Sequence, residues 1–129
     1  AVFGAPRRHE DDPDRAARCA IAMQAAMAEI NDANHREGLP VLSMGIALNT
    51  GTVIAGNIGS ERRSKYGFVG HAMNVTSRIE DVARRGEILI AESTRAALGE
   101  AYALGAAREI DAPGIDERLT VYPLERELP

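Results

Sequence analysis

Apolar positions along the chain alternate between helical and strand periods. From Pro13 onward, Ala16, Cys19, Ala20, Met23, Met27 and Ile30 recur at intervals of three and four residues, the spacing of a helix with one buried face. Asp12-Pro13 supplies its start, with Asp12 as N-cap and Pro13 in the first helical position, and the pattern breaks down near Asn34, ahead of Gly38 and Pro40. From Val41 to Leu48 the period changes to two. Leu42, Met44, Ile46 and Leu48 alternate with Ser43, Gly45, Ala47 and Asn49, which predicts a strand with one packed face. Asn49-Thr50-Gly51 then signals a turn. Thr52–Ile58 suits neither period well, and of a strand and a single helical turn the helical turn is the expectation.

Ser60–Lys65 is charged and reads as a loop, followed by a short strand at Tyr66–Val69 containing the aromatic residues Tyr66 and Phe68. After a break at Gly70-His71, a second helix is predicted from about Ala72 to Ala83. Ala72, Val75, Ile79, Val82 and Ala83 form its inward stripe, and Arg84, Arg85 and Gly86 close it. Glu87–Ala91 reads as a buried strand, Glu92–Leu98 as a short helix with Ser93 or Thr94 near its cap, and Leu119–Leu124 as a terminal strand. Ala1-Val2-Phe3-Gly4 is apolar and strand-like, with no methionine and no signal-peptide charge pattern, so the chain is expected to be a fragment of a longer polypeptide, cut within a strand. With one more strand and a helix supplied upstream, this order predicts an α+β sandwich of the ferredoxin-like kind, with helices packed on one face of a mainly antiparallel sheet. There is no internal repeat or linker, so residues 1–129 are read as one partial domain.

Composition narrows the function classes. With 45% hydrophobic and 26% charged residues in 129, the chain has the balance of an ordinary globular domain large enough to bury a core. Fifteen basic against 19 acidic residues give a net charge of -4, which provides no basic field for a nucleic acid backbone. No apolar run is long enough to span a bilayer, so no direct membrane contact is expected of this segment. The single cysteine, Cys19, excludes an internal disulfide and a cysteine-built zinc site, and makes a cytoplasmic setting the expectation.

The chemistry is concentrated in the middle of the chain. Met44-Gly45-Ile46-Ala47-Leu48-Asn49-Thr50-Gly51, Val53-Ile54-Ala55-Gly56-Asn57-Ile58-Gly59 and Tyr66-Gly67-Phe68-Val69-Gly70-His71-Ala72-Met73-Asn74-Val75-Thr76-Ser77-Arg78 occur in that order. Gly86-Glu87-Ile88-Leu89-Ile90 follows, and Ala1-Val2-Phe3-Gly4-Ala5-Pro6 precedes. Together these segments resemble the class III adenylate and guanylate cyclases over most of the chain. The resemblance implies conversion of ATP or GTP to a 3′,5′-cyclic nucleotide and pyrophosphate, in intracellular signalling, by a homodimer with composite sites across its interface. Such a reaction must align the ribose and neutralise charge developing on the phosphoryl oxygens. By resemblance, Asn74 orients the ribose and Arg78, a planar and permanently charged donor, stabilises the transition state. Four residues apart on one side of a helix, they also fit a solvated flank in which Arg78 meets Asp81 or Glu80.

Gly67, Phe68 and Arg63 are the candidate substrate-binding residues. Glu61-Arg62-Arg63 otherwise reads as a solvated loop, His71 as a weak N-cap, and Gly51, Gly56 and Gly59 as tight turns, because no Gly-Lys-Ser/Thr follows them. The resemblance implies two Mg2+ or Mn2+ ions whose aspartate ligands lie upstream, so no metal ligand is assigned within the chain; Asp11, Asp12 and Asp14 are not promoted to that role. The fragment alone is therefore expected to be inactive. The family's base-selecting aspartate falls on Gly67, and its triphosphate-binding lysine falls at Pro113-Gly114, where there is none. Lys65 is the only lysine. Neutralisation of the γ-phosphate is left to Arg63, Arg108 or Arg118, and a catalytically weak or inactive regulatory or dimerisation domain is the alternative reading.

Overall fold

A computed structural model describes residues 1–59, 62, 65–111 and 118–129. Its elements run α1 (Asp12–Arg36), β1 (Ile46–Leu48), β2 (Ile54–Ile58), β3 (Lys65–Val69), α2 (His71–Val82), β4 (Ile88–Ala91), α3 (Glu92–Leu98), β5 (Tyr102–Leu104), β6 (Arg108–Asp111) and β7 (Arg118–Glu127). The main sheet has the order β1-β4-β7-β5, and β6 also pairs with β7. Among the described residues only β1 and β4 run parallel, with Ala47 opposite Leu89; every other pair there is antiparallel, in keeping with the mainly antiparallel sheet expected. β5 and β6 share one edge of β7 end to end, and Gly105 between them donates its N–H to Pro123 O at 2.8 Å. β2 and β3 form a separate two-stranded ribbon in which Gly56 faces Gly67 and Ala55 faces Phe68.

β4 is buried at every position, and because successive side chains point to opposite faces it supplies two cores. Ile88 and Ile90 join Ala17 and Ala20 of α1, Leu98 of α3, Tyr102 and Leu124. Leu89 and Ala91 join Val75 and Ile79 of α2 and Val121. The helices therefore cover both faces of the sheet, α1 and α3 on one and α2 on the other, in place of the single covered face expected. An apolar strand without alternation requires this, since both of its faces must leave water.

α1 packs through a different stripe from the one its apolar residues suggested. Ala17 and Ala20 are buried, but Cys19 is exposed and Met23 and Ile30 are 45% and 48% exposed. The reason lies in polar side chains. Gln24 donates to Met44 O at 2.8 Å, Asn34 to Pro40 O at 3.3 Å, and the Asn31 amide both donates to Leu42 O at 2.6 Å and accepts from Leu42 N at 2.8 Å. These bonds strap residues 40–44 along the helix and satisfy the Leu42 backbone there. Leu42 is left 55% exposed, and the strand expected over Val41–Leu48 contracts to Ile46–Leu48.

Other boundaries shift for similar reasons. Thr52–Ile58 contains a strand, not a helical turn, because its backbone finds a ladder partner in Lys65–Val69. Ala1–Phe3 lie in no strand. Asp11 is the N-cap of α1, and Asp12 is the first helical residue, with its carboxylate accepting the His9 N–H at 2.8 Å. Val82 is 41% exposed, outside the inward stripe of α2. β5 and β6, of three and four residues, had no counterpart in the sequence reading.

Candidate active site

α2 carries the two residues assigned to the reaction. Val75 and Ile79 turn one side of the helix into the core, at 8% and 0% exposure, while the preceding residues Asn74 and Arg78 are exposed. A four-residue step places them about 6 Å apart along the axis and on neighbouring rows of one flank. Among the described residues, the Asn74 side chain forms no hydrogen bond. Arg78 Nη1 lies 3.4 Å from Asp81 Oδ2, with the two side chains 47% and 56% exposed. The ion pair foreseen from the sequence is thus present, and its length and exposure put its worth at roughly 1 kcal/mol or less. A phosphate oxygen, which accepts shorter and stronger charge-assisted bonds from a guanidinium, can displace it.

Gly67 and Phe68 sit on β3, both partly buried, and Phe68 stacks edge-to-face with Tyr66 at a centroid distance of 5.4 Å. Among the described residues, no hydrogen bond joins them to Asn74 or Arg78. Arg63 and Pro113-Gly114 lie outside the described residues. His71 is the first residue of α2 and not its cap; the N-cap is Gly70, at φ 147°, a conformation that favours glycine.

Two arginines considered for the γ-phosphate are engaged elsewhere. Arg108 Nη2 meets Glu87 Oε1 at 2.5 Å across the sheet. Burial alone would raise the Glu87 carboxyl, but the Arg108 hydrogen bond and the Arg84 backbone N–H outweigh it and hold it below the usual carboxylate value. Arg118 pairs with Glu109 at 3.1 Å and with Asp111 at 3.3 Å along β6. A shallow cleft of about 460 Å³ beside the C-terminal end of α2, lined by Arg84, Arg85, Glu87 and Pro123 among others, includes neither Asn74 nor Arg78.

Among the described residues, the carboxylates do not fit a divalent cation site. Asp12 accepts the His9 N–H and Asp14 accepts the Tyr102 hydroxyl at 3.2 Å, so each already serves the packing of α1. Among the described residues, no group of three His, Cys, Asp or Glu side chains could hold a metal ion. Nor, among them, is any helix long and apolar enough to cross a membrane.

The sequence reading missed a cluster at the base of α2. Asn49, Thr50, Ser93 and Thr94 are joined by hydrogen bonds, although Asn49-Thr50 was read only as a turn and Ser93 or Thr94 only as a cap. α3 has no side-chain cap, because its N-cap is Ala91; Ser93 and Thr94 lie within its first turn and bond to the loop after β1.

Comparison with known proteins gives this arrangement its context. An adenylate cyclase of Anabaena cylindrica is 33% identical over 125 residues, covering 90% of this chain and 25% of that protein, so the chain spans about a quarter of that relative. The guanylyl cyclase Cya2 superposes with a TM-score of 0.92 at 39% identity, covering 97% of this chain and 64% of the solved one. The adenylyl cyclase CyaB from P. aeruginosa gives a TM-score of 0.87 at 26% identity, with coverages of 98% and 68%. Residues 1–126 match the model of the adenylate and guanylate cyclase catalytic domain, and with a matching fold across almost the whole chain, the protein belongs to that family.

Proposed function

We propose that this chain forms part of a catalytic domain that converts a nucleoside triphosphate to a 3′,5′-cyclic nucleotide and pyrophosphate for intracellular signalling. In this reaction the ribose 3′ oxygen bonds to the α-phosphorus, the bond to the pyrophosphate oxygen breaks, and the hydroxyl proton is lost. Asn74 holds the ribose and Arg78 meets the negative charge that grows on the α-phosphoryl oxygens. The observation that supports this most directly is the exposure of the amide and the guanidinium on one flank of a helix anchored by Val75 and Ile79, with Arg78 restrained only by a weak surface pair. The site is completed across a homodimer in the cytoplasm. Mg2+ or Mn2+ is held by carboxylates outside this chain, a reading supported by the misfit of the carboxylates among the described residues, and the chain alone is inactive.

Gly67 and Phe68 line the base end of the site, with Arg63 near the phosphates. Gly67 offers no side-chain acceptor to the adenine amino group, so this position does not select ATP against GTP. The guanylyl cyclase Cya2, at 39% identity, supports GTP as the substrate. The test is to incubate the full-length protein with ATP or GTP and Mg2+ or Mn2+ and to quantify both cyclic nucleotides. Cyclic GMP is expected to exceed cyclic AMP, and Gly67→Asp to shift the ratio toward cyclic AMP.

A second reading, a cyclase-like dimerisation domain without turnover, draws support from the pairing of Arg108 and Arg118, which leaves neither directed at a triphosphate. No cyclic nucleotide above background with either substrate, from a protein that still dimerises, would establish it in place of the first.

A further inference from the structure

We infer that Asn49 is a positioning residue for α2, fixing the first turn of the helix that carries Asn74 and Arg78; its consequence for turnover rests on the roles proposed above for those two. The N-terminus of α2 lacks the usual local supports. Its N-cap is a glycine, no side chain caps it, and its first turn contains no acidic residue. The loop after β1 holds it from the side instead. Asn49 Nδ2 donates to Ala72 O at 3.1 Å, and Thr76 Oγ1 donates to the same carbonyl at 2.7 Å. A Cβ on Gly51 would lie 2.7 Å from the Ala72 Cβ, so the loop backbone rests directly on the first turn with no room for a side chain. A Cβ on Gly70 would lie 3.4 Å from Thr52 O, which places the next loop residue against the helix start as well.

The Asn49 amide is itself held in one orientation. Ser93 Oγ donates to Asn49 Oδ1 at 3.1 Å and accepts the Thr50 N–H at 3.3 Å, which leaves Nδ2 directed at Ala72 O. Thr94, only 2% exposed, donates to Leu48 O at 3.5 Å; its hydroxyl therefore accepts from Thr50 Oγ1, 2.9 Å away. The Ser93 and Thr94 hydroxyls each donate once and accept once, and the Thr50 hydroxyl donates to Thr94. The network links the start of α3 to the start of α2 through residues 44 positions apart in sequence.

Leverage makes this matter. Arg78 lies six residues beyond Ala72, about 9 Å along the helix axis. A tilt of about 10° at the first turn displaces it by roughly 1.5 Å, beyond the ~0.5 Å tolerance of a working catalytic group. Val75 and Ile79 keep the helix on the sheet, so the loss falls on the aim of the exposed flank and not on the fold.

The experiment compares Asn49→Ala, Asn49→Asp, Ser93→Ala and Ser93→Thr with wild type in the full-length protein. It measures kcat, KM, the melting temperature and amide hydrogen exchange of peptides spanning residues 72–80. Asn49→Asp keeps the acceptor for Ser93 and removes only the donor to Ala72. Both Asn49 variants are expected to lower kcat at least about tenfold, with KM within about threefold, a melting temperature within a few degrees of wild type and faster exchange at 72–80. Ser93→Ala moves in the same direction, and Ser93→Thr, which keeps the hydroxyl, restores wild-type values. Unchanged kcat and unchanged exchange in both Asn49 variants overturn the inference, as does a uniform rise in exchange across the whole domain, which marks a purely structural role. If wild type makes no cyclic nucleotide, the roles of Asn74 and Arg78 fail independently, and exchange at 72–80 alone decides whether Asn49 holds the helix.

Discussion

Replacing Arg78 and Asp81 separately distinguishes a guanidinium that works on substrate from one that only serves its neighbour. The two groups are 3.4 Å apart and about half exposed, so removing either side chain costs roughly 0.2–1 kcal/mol of stability through the pair. If Arg78 served only Asp81, both replacements would change turnover alike, and 1 kcal/mol corresponds to about a fivefold change in rate. A guanidinium that meets charge formed in the transition state is worth far more, about 2.7–4 kcal/mol, or 10²–10³ in kcat. Arg78→Ala in the full-length protein is therefore expected to lose at least about a hundredfold in initial rate at saturating triphosphate. Asp81→Ala is expected to stay within about fivefold of wild type, and both to melt within a few degrees of it. Arg78→Lys falls between, since it keeps the charge but not the planar fork of donors. Equal losses in Arg78→Ala and Asp81→Ala, or an Arg78→Ala protein with wild-type rate, refute the assignment.

Two further predictions concern stability. Ile79 is fully buried between α2 and the sheet, so Ile79→Ala should destabilise the domain by about 2–5 kcal/mol in denaturant titration, and a loss below about 1 kcal/mol would show that α2 is not anchored there. Arg95, whose Nε donates to Glu92 at 2.8 Å, is the main cause that lowers the Glu92 carboxyl from the usual 4.5 to about 2. A depressed folded-state value means that the stabilisation is complete above the unfolded value near 4.5 and is lost as the pH falls toward 2. The melting-temperature advantage of wild type over Glu92→Gln at pH 7 should therefore vanish near pH 2, and an advantage that persists there would dissociate it from this ion pair.

Much of the site was legible in sequence because its elements are locally encoded. The apolar spacing of Val75 and Ile79 put Asn74 and Arg78 on the exposed flank of a helix, where the structure has them, and Glu92–Leu98 and the core of β4 fell within the residues expected. A helix forms from bonds within itself, so composition and spacing over a dozen residues carry most of the information. What the sequence by itself determined was the order of the main elements, the family resemblance and the exposed helix flank on which the candidate residues Asn74 and Arg78 lie.

Pairings between distant segments were decided by tertiary structure. Thr52–Ile58 has no decisive period of its own and contains a strand because Lys65–Val69 lies beside it; β5 and β6 exist as strands through the long edge of β7. Gln24, Asn31 and Asn34 lie outside the apolar spacing read from α1, yet residues 40–44 supply them with backbone partners that hold this segment along the helix. Arg108 had the charge for a phosphate but not the freedom, since Glu87, 21 residues away, binds it across the sheet. A polar side chain states what it can donate or accept, and only the folded chain decides which partner, near or distant, satisfies it.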